Sequence, residues 1–298
     1  MRKPLCALST MIAVGIVSVL TVPIGYGPIG YAPIGYGPIG HGSIAYADSM
    51  EELTVAHRGA STSKLAESTL PAYKYAVENH ADILDGDIHW TKDGPDADKV
   101  GTMLILHDAT LDRVTNCTGN VSSWLWSDID KKCRTDIGGQ RLMRLIDLLQ
   151  YGNSVGKSFS LELKVASLTD AQAKQLWNAI KNSRVQLNAT SARLKALNKI
   201  KTLDAADSNH KISYALGTSG VGGWPSVSAI KKVGTTVYAK LTIPSDVARS
   251  YRLANIKVFL WTGENASDNA KMIALQPYGV VVDNVARFQT WRDATGSA

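Results

Sequence analysis

From Leu53 onward, short β-branched and apolar runs alternate with stretches whose apolar residues recur every three or four positions. The runs predict strands at Thr54–His57, Ile83–His89, Met103–His107, Phe159–Leu163, Val185–Asn188, Lys211–Leu216, Thr236–Lys240, Lys257–Trp261 and Val280–Asp283. The longer-period stretches predict helices at Thr69–Glu78, Leu145–Tyr151, Thr169–Lys181, Ser191–Lys199, Ser226–Lys232, Pro244–Leu253 and Ser267–Leu275. Strands that read as continuous apolar runs between helices belong to a parallel sheet covered by helices. The expected fold class is α/β, a single (β/α)8 TIM barrel.

One run more is present than eight strands need. The runs around His89 and Met103 are joined by KDGPDADKVGT, a polar Gly/Pro segment without a helical pattern. Parallel strands need a crossover of about a dozen residues or more, usually helical. One of these two runs is therefore expected to be the arm of an antiparallel hairpin, and the pattern leaves open which run is the extra one. Asn116–Arg141 reads as irregular, a loop elaboration bearing Trp124 and Trp126 that forms a lid or rim.

The N-terminus is organised differently. Arg2 and Lys3 precede an uncharged apolar run from Leu5 to Val22, the pattern of a secretory signal. Four pentapeptides, PIGYG, PIGYA, PIGYG and PIGHG, then fill Pro23–Gly42. Their proline and glycine content prevents helix, and so short a period makes no solenoid. Ala45-Tyr46-Ala47 before Asp48 is a cleavage pattern. Residues 1–47 are thus read as a signal peptide that includes the repeat, and 48–298 as the barrel domain. The competing reading is an uncleaved anchor with the repeat as spacer. Both put the domain outside the cell, secreted or tethered to the outer membrane face.

Composition adds little and excludes something. Of 298 residues, 45% are hydrophobic and 19% charged, the balance of a globular protein. The formal charge of +6 is spread along the chain without a Lys/Arg block, which is no nucleic-acid footprint. Past the signal region only Cys117 and Cys133 remain. In an exported protein they are expected to form one disulfide; the rival, metal ligation, has no third thiol or CxxC spacing behind it.

The candidate chemistry stands at strand ends. His57-Arg58-Gly59 follows the first strand, Asp85 and Asp87 lie in the second, and His107-Asp108 follows the third. Glu162 and Lys164 close the fourth, while Trp261 and Asp283 end two late strands. In such a barrel the carboxyl ends of the strands converge on one face, where active sites form. Asp85 and Asp87 are two apart, as are Glu162 and Lys164, so on a strand each pair shares a side. Three carboxylates on one face repel unless a cation lies between them, and all-oxygen ligands suit a hard ion. One divalent ion, Ca2+ or Mg2+, is the expected cofactor. Two histidines can give and take a proton near neutrality, and the planar fork of Arg58 suits phosphate oxygens. Taken singly, each feature has an ordinary explanation: a turn, a solvated loop, a surface ion pair, a core tryptophan. All of these would have to hold together, strand end after strand end.

The strings VAHRGAS, Glu67-Ser68-Thr69, LDGDIHWTKDG, LILHDATLDRVTN, SLELK, VFLWT and VVVDN follow one another as in the glycerophosphodiester phosphodiesterase family, which the chain resembles from about Leu53 to Asn284. The resemblance implies a phosphatidylinositol-phospholipase-C-like TIM barrel. It makes His57 and His107 the general acid/base pair and gives Lys164 to charge on the phosphoryl group. Arg58, Glu67 and Trp261 would contact phosphate and substrate, and Asp85, Asp87 and Glu162 would hold the metal. Asp108 and Asp283 match motif positions of less certain role. Two departures stand out: Asp85 replaces the family's usual glutamate, and Ser68 its asparagine. The expected reaction cleaves a glycerophosphodiester into an alcohol and glycerol 3-phosphate, by water or through a cyclic phosphate. The expected partners are a small phosphodiester and, transiently, a lipid or cell-wall surface. The rivals are a lysophospholipase-D or sphingomyelinase-D-like lipid phosphodiesterase, favoured by an apolar rim at Trp124 and Trp126, and a non-catalytic metal- and phosphate-binding surface protein.

Overall fold

A computed structural model describes residues 52–92, 100–207 and 211–295. The expected signal peptide with its repeat, and most of the 95–102 insertion, lie outside the described residues. Ten strands are described: β1 (Leu53–Ala56), β2 (Ile83–Trp90), β3 (Met103–Ile105), β4 (Met143–Arg144), β5 (Ser158–Leu163), β6 (Val185–Thr190), β7 (Ile212–Thr218), β8 (Thr236–Lys240), β9 (Lys257–Gly263) and β10 (Gly279–Val282). The helices between them are α1 (Leu70–Glu78), α2 (Trp126–Lys132), α3 (Leu145–Ser154), α4 (Asp170–Ile180), α5 (Leu194–Asp204), α6 (Val227–Val233), α7 (Ser245–Leu253), α8 (Ala266–Ala274) and α9 (Val285–Thr295).

Eight strands pair in parallel in the order β1-β10-β9-β8-β7-β6-β5-β2, and β1 pairs with β2 to close the barrel. The extra run is β3. It pairs antiparallel to the far end of β2, placing Trp90 opposite Met103, and β4 extends it by a further antiparallel pair. The two-residue β4 escaped the sequence reading because so short a segment carries no periodicity. The supposedly irregular Asn116–Arg141 holds the 3-10 turn Val121–Ser123 and the helix α2, which correct that expectation.

Alternation along each strand sorts the side chains. Val55, Ile83, Ala215, Tyr238, Phe259 and Val281 occupy matched register positions and pack inside the barrel. Their neighbours, such as Leu84, Leu161, Leu187, Val237 and Leu260, face outward under the helices in the main core. A helix such as α4 meets that core through Ala173, Leu176 and Ile180, and Thr169 caps its first turn by accepting from the Gln172 amide. The interior is filled below and polar above: Asp85, Asp87, Ser160 and Glu162 continue the inward rows of β2 and β5.

A satellite core lies beneath the segment that follows β3. Leu104, Leu106, Leu111, Val121, Ile129 and Leu142 surround the Cys117–Cys133 disulfide. Trp124 and Trp126 are half-buried against this cluster, Trp124 donating to the Thr118 carbonyl and Trp126 lying beneath Arg144. Neither tryptophan is a bare apolar rim.

Candidate active site

The strand ends gather the candidate residues at one mouth of the barrel. After β1 the chain turns sharply: Arg58, Gly59 and Ala60 all have positive φ. Glycine is required at the centre, since at φ +87° a Cβ would also stand 3.0 Å from the Tyr73 ring. Arg58 and Ala60 accept the left-handed conformation at roughly 1 kcal/mol each. The turn brings the Arg58 amide to Asp85 Oδ2 at 3.2 Å and its guanidinium between Glu67 and Asp87.

Both histidines are held the same way. The His57 Nδ1–H donates to Asp283, and the His107 Nδ1–H donates to Asp108 Oδ1 at 2.6 Å. An ionised carboxylate only accepts, so each Nδ1 carries the proton and Nε2 is left for proton transfer. Burial alone would lower the His57 pKa, yet the Asp283 hydrogen bond and the nearby Asp85 charge prevail and hold it above its ordinary value.

The carboxylates differ in their surroundings. Asp85 is buried, and desolvation together with the Asp87 charge holds its pKa well above the usual carboxylate range, despite hydrogen bonds from Ser160 Oγ and the Arg58 amide. Asp87 is equally buried, but Lys164, His107 and Arg58 outweigh that burial and hold it low. Lys164 Nζ lies 3.0 Å from both Asp87 Oδ1 and Glu162 Oε2. Arg193, in the turn after β6, takes the other Glu162 oxygen at 2.5 Å. Glu67 is gripped from two sides by Arg58 and Arg113, which offset its burial and lower its pKa. Arg113 also binds Asp108 at 2.5 Å. Trp261 sits on β9 opposite Lys240 in register, on the inward row, with Lys240 Nζ 6.0 Å from its ring centre.

The candidate catalytic, phosphate-binding and metal-binding residues, His57, Arg58, Glu67, Asp85, Asp87, His107, Glu162, Lys164 and Trp261, stand at this mouth with Asp108 and Asp283, whereas Trp124, Trp126 and the two cysteines belong to the satellite core. Arg113 and Arg193 were missed. Arg113 stands within the string LILHDATLDRVTN, five residues after Asp108, and that spacing was the available signal. Arg193 left none; only the fold brings it to Glu162.

A hard divalent ion suits the donor types here. Asp87 Oδ2 is buried without a hydrogen-bond partner, Arg58 Nε standing 3.5 Å from it, and Asp85 beside it carries an unfavourable charge that a cation would offset. Among the described residues no three His, Cys, Asp or Glu side chains stand close enough to enclose an ion. Both oxygens of Glu162 are occupied, by Lys164 and Arg193.

Residues 57–287 match the glycerophosphoryl diester phosphodiesterase family. The chain belongs to that family. A glycerophosphodiester phosphodiesterase of Caldanaerobacter subterraneus subsp. tengcongensis is 26% identical over 245 residues, covering 79% of this chain and 95% of that one. Among solved structures, a phosphodiesterase of Oleispira antarctica in complex with the product sn-glycerol-3-phosphate has a TM-score of 0.68 at 18% identity, covering 81% of this chain and 96% of its own. A glycerophosphodiester phosphodiesterase of Thermotoga maritima has a TM-score of 0.62 at 20% identity, covering 82% of this chain and all of its own. Family membership makes the chain a phosphoric diester hydrolase, and the structural likenesses agree on the barrel.

Proposed function

We propose that this enzyme hydrolyses glycerophosphodiesters to an alcohol and glycerol 3-phosphate, outside the cell, with His57 and His107 as the acid/base pair. The observation that carries the reading is the matched pair of histidines, each tied through Nδ1 to a carboxylate at the mouth that holds Arg58, Lys164 and the Asp85–Asp87 pair. The product bound to the Oleispira antarctica phosphodiesterase supports the substrate class. The disulfide favours an oxidising compartment, as the N-terminal signal pattern does.

In the direct route, one imidazole Nε2 removes a proton from water as its oxygen bonds to phosphorus. The other imidazolium gives its proton to the alkoxide as the phosphorus–oxygen bond to the alcohol breaks. Arg58 offers its guanidinium to the non-bridging oxygens, and Lys164 adds a nearby positive charge as theirs grows. Asp85 and Asp87 would hold a divalent ion, joined by Glu162 once released from Arg193, and that ion would supply further charge neutralisation to the phosphoryl group.

The test is release of glycerol 3-phosphate from glycerophosphoglycerol and glycerophosphocholine, with added Ca2+ or Mg2+ and after EDTA. His57→Ala and His107→Ala should each lower turnover by about a hundredfold or more with the circular-dichroism spectrum unchanged. Near-normal turnover in either variant, or full activity in EDTA, would defeat the corresponding part of the reading.

A further inference from the structure

A third histidine, His89, stands at the mouth without a part in the proton transfers. Along β2, a Cβ on Gly86 would meet Leu148 of α3, and Ile88 and Trp90 belong to the main core, so these three positions face outward. Asp85, Asp87 and His89 therefore form the inward row. His89 is 8% exposed, and the charges that bear on it are those of Asp87, Lys164 and Arg193. Its Nε2 lies 3.2 Å from the His107 carbonyl oxygen. A carbonyl only accepts, so Nε2 carries the proton and donates it. His57 and His107 donate through Nδ1 instead.

The contact falls where the chain leaves the sheet. β5 lines one edge of β2 from Ile83 to Ile88. The other edge is shared: β1 pairs with Ile83 and Leu84, and β3 runs antiparallel along the far end until Ile105 stands opposite Ile88. The Leu106 amide makes one more main-chain bond, to the Asp87 carbonyl. His57 and His107 thus reach the same edge from opposite directions. His107 is the first residue of its arm past that bond, and its ring is held by Asp108, its neighbour in the same turn. Asp108 leads on through Arg113 to Glu67, both of them turn residues. His89 instead ties the His107 carbonyl to a barrel strand, the one that carries Asp85 and Asp87.

We propose that His89 is a positioning residue for the reaction, holding the main chain of His107 so that the His107 Nε2 meets the oxygen with which it exchanges a proton. The proposal rests on the phosphodiesterase reading of this site. A misplacement of about 1 Å in a reacting group can cost on the order of a hundredfold in rate.

The experiment measures kcat and KM for glycerophosphoglycerol, with Ca2+ or Mg2+ added, in the wild type and in His89→Leu, His89→Asn and His89→Gln. A glutamine amide nitrogen stands as many bonds from Cβ as the imidazole Nε2, whereas that of asparagine falls one bond short. His89→Leu and His89→Asn should lose about tenfold or more in kcat with KM nearly unchanged, and His89→Gln should recover most of the loss. If His89 only filled space, leucine would serve as well as glutamine. Equal kcat in the Leu and Gln variants would therefore overturn the role. So would loss, in His89→Gln, of any rise in melting temperature that the ion gives the wild type, which would place His89 at the ion instead. Long-range proton–nitrogen NMR correlations at alkaline pH read the ring tautomers without turnover, and His89 should show Nε2–H where His107 shows Nδ1–H. A wild type with these tautomers that cleaves no diester would sink the phosphodiesterase reading and keep the contact. Cleavage by an enzyme whose His89 carries its proton on Nδ1 would do the reverse.

Discussion

His57 donates its Nδ1 proton to Asp283, joining the residue after the first barrel strand to the residue after the last. The bond fixes the imidazole tautomer and keeps its pKa above the ordinary value. Asp283→Asn preserves the shape but removes the charge and permits the wrong tautomer. The expected loss in kcat is about tenfold to a hundredfold, the scale seen when partners that orient a functional histidine are removed. The His57 titration, followed through its Cε1 proton by NMR, should move downward. An unchanged titration midpoint in Asp283→Asn would mean that the carboxylate does not set the behaviour of this ring.

Arg113 does for His107 what no single carboxylate does. It spans Asp108 and Glu67, so the residue that orients His107 is tied to the residue that flanks Arg58. Hydrogen bonds from Arg113 and His107 overcome what burial there is and pull the Asp108 pKa down to about 2. A carboxylate with a depressed folded-state pKa stabilises the fold above its unfolded pKa of about 3.9, and that contribution fades as pH falls toward 2. Arg113→Ala should therefore narrow the stability difference between pH 5 and pH 2 in thermal melts and lower kcat by about tenfold. Arg113→Lys should recover part of the stability but not the two-armed grip. Equal acid sensitivity in wild type and Arg113→Ala would refute the link.

Much of this was legible in the sequence, for identifiable reasons. Barrel strands such as VVV in β10 are buried on both faces and read as apolar runs. The polar residues that interrupt or end such runs, Asp85, Asp87 and Glu162, stood out against them, and their joint recurrence at strand ends was the signal. The missing pieces were of another kind. β4 is too short for any period, and α9 carries its two buried residues, Val285 and Phe288, with little amphipathic pattern around them. The Arg193–Glu162 contact depends on where a turn after β6 falls relative to β5, and no local pattern encodes that. The residue types expected to hold a metal were readable, and so was an ion pair between Glu162 and Lys164. The engagement of Glu162 by Arg193 was not, because competition for an oxygen is a property of the assembled mouth.

The disulfide closes the segment from Cys117 to Cys133 over the satellite core, next to the turn that carries Asp108 and Arg113. Closing a loop of 16 residues contributes on the order of 3 kcal/mol by constraining the unfolded chain. Replacing both cysteines by serine should lower the melting temperature by roughly 5 °C or more at this size. If the staple also steadies the His107 side of the mouth, kcat should fall in the same variant at temperatures well below its melt. Calorimetry and turnover at 25 °C measure the two effects separately. A melt unchanged by reduction would show that the closed loop adds nothing.

Asp85 ties stability to the expected metal. Desolvation and the Asp87 charge raise its pKa to about 6, against about 3.9 in the unfolded chain. Between those values the folded state binds the extra proton, so this group lowers stability as pH rises from about 4 to about 6. At pH 7 the penalty is fully present. A divalent ion bound by Asp85 and Asp87 would remove it, since the charge then has a partner. Thermal melts should show Ca2+ or Mg2+ raising the melting temperature at pH 7 and much less at pH 4.5. Asp85→Asn should melt higher than the metal-free wild type at pH 7 and lose its response to either ion. If Asp85→Asn melts lower than the metal-free wild type while the ion still stabilises it, Asp85 is neither the strained charge nor a ligand.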